Sequence, residues 1–250
     1  MWSDIVTELS ADELKRYDRQ IKIRGWGIEG QKKVKKATVG VLGCGGLGSP
    51  VTIYLAVAGI GTLVAADLDV VDLSNLNRQI LHWNKDVGRK KTESAHEKLS
   101  QINPEVKLKF FTGKVDETNV DEVFKGADIV VDALDNFQSR FVLNDFAVRK
   151  GIPYVHGSIW GLEGRATTII PGKTACLRCI VNEAPPKEVF PVLGAAPATI
   201  GSIQVTEVLK YLTGVGKLLT GRMIVYDGEN MTFKEFETTR DPDCPVCGKL

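Results

Sequence analysis

Cys176-Leu177-Arg178-Cys179 and Cys244-Pro245-Val246-Cys247 are two Cys-x-x-Cys pairs, the spacing at which neighbouring thiolates reach one metal ion. Four thiolates suit tetrahedral zinc, and a closed four-cysteine set is structural because no coordination position is left for a substrate. The second pair lies at the C-terminus, where a clamp to the middle of the chain would prevent fraying. A redox dithiol is the other chemistry this spacing offers. A second group of residues points to an anion. The run Gly43-Cys44-Gly45-Gly46-Leu47-Gly48-Ser49 follows the apolar, β-branched Val39-Gly40-Val41-Leu42. Glycines accept positive φ and let backbone amides approach a ligand without a Cβ in the way. Amides at a helix start attract phosphate, although a tight strand-to-helix turn without a ligand has the same pattern. Cys44 reads as a small packing residue rather than a nucleophile. Asp67 and Asp69 follow the glycines at about the 20-residue distance of a ribose-binding acid. Arg78 and Lys91 add positive charge. Lys91 falls near a helix N-terminus, the unfavourable end for a cation, which suggests a phosphate partner. Asp132 and Asp135 close a further apolar strand, and Asp132 reads as a structural strand-end acid.

Strands and helices must alternate to position these groups. Thr38–Leu42, Thr62–Ala66, Val106–Phe111, Ala127–Ala133 and Tyr154–His156 read as strands. Between them, Ser49–Ala58, Thr92–Ile102, Val120–Lys125 and Ser139–Arg149 read as helices, the first apolar all round and therefore buried. This alternation predicts a Rossmann-like, doubly wound and mainly parallel α/β sheet, with its ligand beyond the strands' carboxyl ends. Ahead of it, Ser10-Ala11-Asp12-Glu13 is a capping box opening a helix towards Arg24, with Arg16, Arg19 and Gln20 on one face. An arginine pair so placed is ordinarily a solvated face. Gln31–Lys36 reads as a short, exposed basic helix. Asp72–Gln79 is too polar for a core strand and reads as a loop.

After Gly157 the pattern changes to a β-rich extension. It has strand character at Gly164–Ile170 and a proline-rich irregular stretch at Ala184–Pro197. An amphipathic helix at Thr199–Leu212 follows, then a hairpin of Arg222–Tyr226 and Met231–Glu237. The expected organisation is one domain over 1–250. It comprises an N-terminal helical arm at 1–36, a nucleotide-binding part at 37–157, and a part at 158–250 carrying the cysteine pairs and a partner-binding surface. The hydrophobic content of 43% supports a sizeable core, and a net charge of +1 gives no electrostatic reason for binding nucleic acid. No apolar run is long enough to span a membrane and the N-terminus is no signal peptide, so a cytoplasmic address is expected.

Taken together, these motifs resemble the MoeB/ThiF/HesA family, relatives of ubiquitin-activating enzymes. The residues that carry the resemblance are the glycine turn, Asp67-Leu68-Asp69, Leu73-Ser74-Asn75-Leu76-Asn77-Arg78-Gln79, Asp135-Asn136, both cysteine pairs, and Arg16-Tyr17-Asp18-Arg19-Gln20. The resemblance runs from about Leu14 to Gly248. It implies Mg-ATP-dependent adenylation of the C-terminal glycine of a small ubiquitin-like sulfur carrier, with release of pyrophosphate. It further implies that Arg78 and Lys91 stabilise the attacked phosphate and that Asp135 holds Mg²⁺. By the same resemblance, Asp67, Asp69, Asn75, Gln79 and Asn136 hold the nucleotide and Gly43, Gly45 and Gly46 keep the pocket floor open. Arg19 would reach into the neighbouring subunit of a homodimer, and Cys176, Cys179, Cys244 and Cys247 would hold zinc.

Some relatives carry a cysteine before the last long helix, where this chain has Phe190 within Lys187–Gly194. Adenylation without a carrier thioester on this chain is therefore expected, with a separate sulfurtransferase supplying sulfur. Three other readings compete. An NAD-dependent oxidoreductase would use the same glycine turn but leaves Arg78, Lys91 and the cysteine pairs without a role. A non-catalytic scaffold would have no use for Arg19, Arg78, Lys91 and Asp135 together. An ATP-dependent tRNA-modifying cyclase shares the fold.

Overall fold

The computed structural model describes residues 8–181 and 191–250. The chain opens with α1 (Ala11–Arg16), α2 (Asp18–Ile21) and α3 (Gly27–Lys36). The capping box at Ser10 and Glu13 forms as expected, with both reciprocal bonds present. The expected single helix to Arg24 does not form, because the chain breaks at Tyr17. That ring is 2% exposed and packs on Gly59, where a Cβ would lie 2.3 Å from the ring. Its hydroxyl accepts a bond from Asn103 Nδ2 at 2.9 Å. A buried, hydrogen-bonded tyrosine outweighs a few residues of helix propensity. Gln20 turns inward and donates to Gln31 Oε1 and the Ala58 carbonyl. Arg16 and Arg19 remain exposed. The third helix also differs from expectation. It starts four residues earlier and buries Gly30, Gln31 and Val34 on one face, with Gln31 donating to Ala58 O at 2.9 Å.

The alternating part supplies β1 (Thr38–Leu42), α4 (Gly48–Ala58), β2 (Thr62–Asp67), α5 (Lys91–Ile102), β3 (Lys107–Thr112), α6 (Val120–Val123), β4 (Ile129–Asp132), α7 (Phe137–Lys150) and β5 (Tyr154–Trp160). The spatial order is β3-β2-β1-β4-β5, all parallel, with Gly40 opposite Val64 on one side and Val130 on the other. This is the doubly wound arrangement. Its order reverses between β1 and β4, the switch point at which sheets of this kind bind their ligands, beyond the strands' carboxyl ends. Alternate residues serve the two layers. Val39, Val41, Ile129 and Val131 pack with Val51 and Leu55 of α4. Val64 and Val130 pack with Phe141, Leu143 and Phe146 of α7.

The remaining elements are β6 (Glu163–Ile169), α8 (Leu177–Ile180), α9 (Ala195–Thr213), β7 (Arg222–Asp227) and β8 (Thr232–Glu237). β5 runs four residues past His156 because it pairs antiparallel with β6, and β7 and β8 continue the same sheet to eight strands. Residues 182–190, which hold half of the expected irregular stretch and Phe190, lie outside the described residues. Its end is helical: α9 starts at Ala195 and takes Pro197 into its first turn, where no amide donor is needed. The helix is fixed to the sheet by Gln204, whose Nε2 donates to Asp132 O at 2.7 Å. One face of α4 differs from expectation. Tyr54 and Val57 are 51% and 38% exposed, so this apolar helix is not covered all round. Among the described residues, no helix is long and apolar enough to cross a membrane.

Candidate active site

The glycine turn connects β1 to α4 at the switch point. Gly43 has φ +104°, and a Cβ there would lie 2.4 Å from the Ala133 carbonyl. Gly43 is thus required by the turn's own path against the end of β4, which differs from its expected place on the pocket floor. Gly45 and Gly46 are the partly exposed glycines of the turn. The side chain of Gln79 lies over Gly45, and those of Arg78 and Pro197 lie over Gly46. Among the described residues, no acceptor is bonded to the N–H of Gly45 or Gly46.

The acids at the end of β2 divide their tasks. Asp67 Oδ2 accepts the Cys44 N–H at 2.7 Å, and Oδ1 accepts the Asp69 N–H at 2.8 Å. Asp67 therefore fastens the glycine turn. Burial raises its carboxyl above the usual range, against the opposing pull of Lys91 and the two amides. Asp69 is exposed and pairs with Lys91 Nζ at 2.9 Å, while the Lys91 side chain is 7% exposed. The Lys91 amide also donates to Asp69 O at 3.0 Å. Lys91 thus tolerates its helix-start position through a carboxylate of this chain.

Arg78 Nη1 donates to Ser74 O at 2.9 Å and Asn77 Oδ1 at 3.0 Å. Asn75 Oδ1 accepts the Asp72 amide, shaping the loop. Gln79 is 5% exposed, and its Oε1 has no partner among the described residues. Asp135 is exposed at the end of β4, with one oxygen accepting from Asn136 Nδ2 at 3.2 Å. Asn136 caps α7 through the Ser139 amide. The glycine amides, Asp69, Arg78, Gln79, Lys91 and Asp135 thus gather around the carboxyl ends of β1, β2 and β4. Arg19 does not join them. Its neighbour Gln20 is bonded at the C-terminal end of α4, about 16 Å along the helix from the glycine turn.

Asp132 has the structural part expected of it. It is fully buried and accepts from the Tyr154 hydroxyl and from His156 Nδ1, each at 2.7 Å. Arg140 lies 3.6 Å from its other oxygen. Sequence reasoning missed His82, which is 3% exposed. Its Nε2 meets Cys44 O and its Nδ1 meets Ser94 Oγ, each at 2.8 Å. A single histidine in a polar loop carries no periodicity that would single it out. Cys44 is fully buried and its thiol is pushed well up, chiefly by burial, so no thiolate nucleophile forms there.

Burial lowers both His82 and His156 below the ordinary histidine value of 6.5, so the folded chain keeps them neutral while the unfolded chain takes up protons. Stability should therefore decline as pH falls through and below 6.5. A second loss should begin below 3.8, since Lys98 and other partners overcome burial and hold Asp86 at about 2. Urea titrations from about pH 7 downward would read both stages, and a midpoint unchanged between about pH 7 and 5 would refute the first.

The cysteine pairs meet as expected. All four Sγ atoms lie within 4.8 Å of one another. Cys176–Cys244 is 3.7 Å, Cys176–Cys179 3.9 Å and Cys179–Cys247 3.3 Å. Zinc–sulfur bonds of 2.3 Å in a tetrahedron require sulfurs about 3.8 Å apart, so the set fits a metal ion. Burial raises the Cys244 thiol, but the Cys247 and Val246 amides outweigh it and hold it at about 7. Arg178, inside the first pair, donates through Nε and Nη2 to both carboxylate oxygens of Asp145 of α7 and holds the knuckle against the domain.

Residues 17–246 match the ThiF family. The chain is 46% identical over 247 residues to the SAMP-activating enzyme E1 of Haloferax volcanii, covering 96% of this chain and 91% of that protein. It is 39% identical over 248 residues to the sulfur carrier protein adenylyltransferase of Thermus thermophilus, covering 95% and 92%. The crystal structure of E. coli MccB with ATP superposes with a TM-score of 0.82 at 27% identity, over 93% of this chain and 74% of that one.

Proposed function

Because this chain belongs to the ThiF family, we propose that it activates the C-terminal glycine of a small ubiquitin-like sulfur carrier by adenylation. A carboxylate is a poor electrophile. Its attack on the α-phosphate of ATP expels pyrophosphate and leaves an acyl adenylate with a good leaving group. The observation that carries the reading is the pair of amides at Gly45 and Gly46, which have no acceptor among the described residues, with Arg78 over Gly46 and with Lys91, paired to Asp69 after β2, and Asp135 after β4 at the same end of the sheet. Those amides and the start of α4 would bind phosphate. Arg78 and Lys91 would neutralise charge that develops on it, with Asp69 aiming the Lys91 ammonium. Gln79, Asp69 and Asn75 would hold the nucleotide, and Asp67 would act through the turn it fastens. An exposed carboxylate at an open strand end suits a hard cation that keeps its waters, so Asp135 would hold Mg²⁺, which neutralises phosphate charge when bound.

Residues 37–157 would then bind the nucleotide, and 158–250 would receive the carrier. β8 is exposed along its length, with Phe233 and Phe236 53% and 54% exposed, and Trp160, Leu162 and Leu193 are exposed as well. Such surface supports a protein partner. Tyr54, Val57, Leu73, Ile80 and Trp83 form further exposed apolar surface on α4 and the loop after β2, which supports a homodimer. Its partner subunit would supply Arg19, on the arm of residues 1–36. The four-cysteine set would hold structural zinc. Four of the five cysteines are gathered there and the fifth is buried, so activation would proceed without a thioester on this chain. Sulfur would come from a separate sulfurtransferase, in molybdopterin, thiamin or tRNA thiolation. Free cysteines would suit a reducing, cytoplasmic location.

Exchange of labelled pyrophosphate into ATP, run against a panel of small carriers ending in Gly-Gly, tests the reading. At least one carrier should raise exchange by about 10²-fold or more over the carrier-free rate. NAD binding without ATP-dependent pyrophosphate release would overturn it in favour of an oxidoreductase.

A further inference from the structure

We infer that His82 is a positioning residue for the phosphate-binding amides, acting through the backbone of Cys44 and held in one tautomer by Ser94 and Lys98. This rests on the adenylation reading for its ligand, a nucleoside triphosphate. Both backbone groups of Cys44 are fastened by side chains from outside the turn. Asp67 accepts its N–H at 2.7 Å, and His82 Nε2 lies 2.8 Å from its carbonyl. A carbonyl only accepts, so Nε2 must carry the proton and donate.

The neutral ring then has an accepting Nδ1, and its neighbour at 2.8 Å is the Ser94 hydroxyl. Ser94 therefore donates to the ring and uses its oxygen to accept from Lys98 Nζ, also at 2.8 Å. Lys98 Nζ is itself paired with Asp86 Oδ2, 2.5 Å away. Every donor in the row Lys98, Ser94, His82 thus points towards Cys44. Lys98 and Asp86 have side chains 4% and 0% exposed, and Ser94 is fully buried, so solvent does not compete.

The consequence for the site follows from peptide geometry. In a trans peptide the N–H points opposite to the carbonyl of the same unit. Drawing Cys44 O towards buried His82 turns the Gly45 N–H the other way, out of the core. That amide has no acceptor among the described residues, and the Gly46 N–H beside it has none either. Asp67 and His82 together hold open a pair of donors that would otherwise be free to rotate.

ATP affinity of the full chain should weaken about tenfold in His82→Phe, which keeps a ring but loses the donor. His82→Gln, which can offer an N–H at the ε position, should recover most of that loss. Because a phosphate is held in both ground and transition states, the change should fall on the KM for ATP, with kcat and the carrier's KM nearly unchanged. Nuclear magnetic resonance of ¹⁵N-histidine protein should show one ring protonated at Nε2 alone in the wild type, and that signature should be disturbed in Ser94→Ala. Titrating ATP directly reads the inference even if no carrier supports exchange, a result that would count against the adenylation reading alone. Equal ATP affinity in wild type and His82→Phe, or a glutamine variant no better than phenylalanine, would overturn the positioning role. If neither His82 variant folds, a wild-type Nδ1–H tautomer would overturn it.

Discussion

Asp135→Ala and Arg19→Ala should each reduce carrier-dependent pyrophosphate exchange by about 10³-fold, and mixing the two inactive proteins should restore it. Asp135 lies at the end of β4 at the switch point of its own chain, its carboxylate exposed. Arg19 lies beyond the opposite end of α4, held there by the bonds of Gln20 to Ala58 O and Gln31. A side chain anchored so cannot reach the glycine turn of its own subunit. In a two-fold dimer each site would combine Asp135 of one chain with Arg19 of the other. After subunit exchange at equal concentration, about half the dimers are hybrids, each with one intact site, so recovery should approach about a quarter of wild type. Light scattering should show that both variants remain dimeric. Dimeric variants that fail to complement would place Arg19 outside the partner's site. Full exchange by Asp135→Ala would remove the assignment on which the magnesium site rests.

Loss of the four-cysteine clamp should lower stability by about 4 kcal/mol, the value for a ligand at roughly a thousand times its dissociation constant. For a chain of this size that corresponds to a fall in Tm of about 10 °C. The clamp joins α8 to the tail, and its cysteines belong to a core layer. Cys176, Cys244 and Cys247 are buried beside Leu177 and under Phe141 of α7. Releasing the tail would expose that layer, so protease should cut first near residues 240–250. Cys244→Ser and chelation should give the same shift, and elemental analysis should find one zinc per wild-type chain. Pyrophosphate exchange at low temperature should survive, because the cysteines touch none of the residues at the switch point. A metal-free wild type with an unchanged Tm would leave a dithiol as the better account of the cysteines.

The alternation of apolar strands with helices, the glycine turn after the first strand, the acids at strand ends and the paired cysteines are local patterns. Spacing within a few residues determines them, and so the doubly wound, mainly parallel sheet, and the end of it at which Asp69, Lys91 and Asp135 lie, were legible in the sequence by itself. The pairing of the thiols was also legible: the two Cys-x-x-Cys spacings suit one metal ion, and the thiols meet across 68 residues. Contacts between segments far apart in the chain were decided only by the tertiary structure. Tyr17 ends a helix that its own sequence favours, because its ring is buried on Gly59 and bonded to Asn103. Gln31 is buried in what reads as a basic surface helix, because Gln20, Trp26 and Ala58 satisfy its amide. Lys91 meets Asp69, and Asp67 is engaged by the Cys44 and Asp69 amides. The clearest case is His82: its residue type was visible, but its two partners, 38 and 12 residues away, were not. Periodicity reports which face of an element is buried; only folding decides which polar group a buried donor will meet.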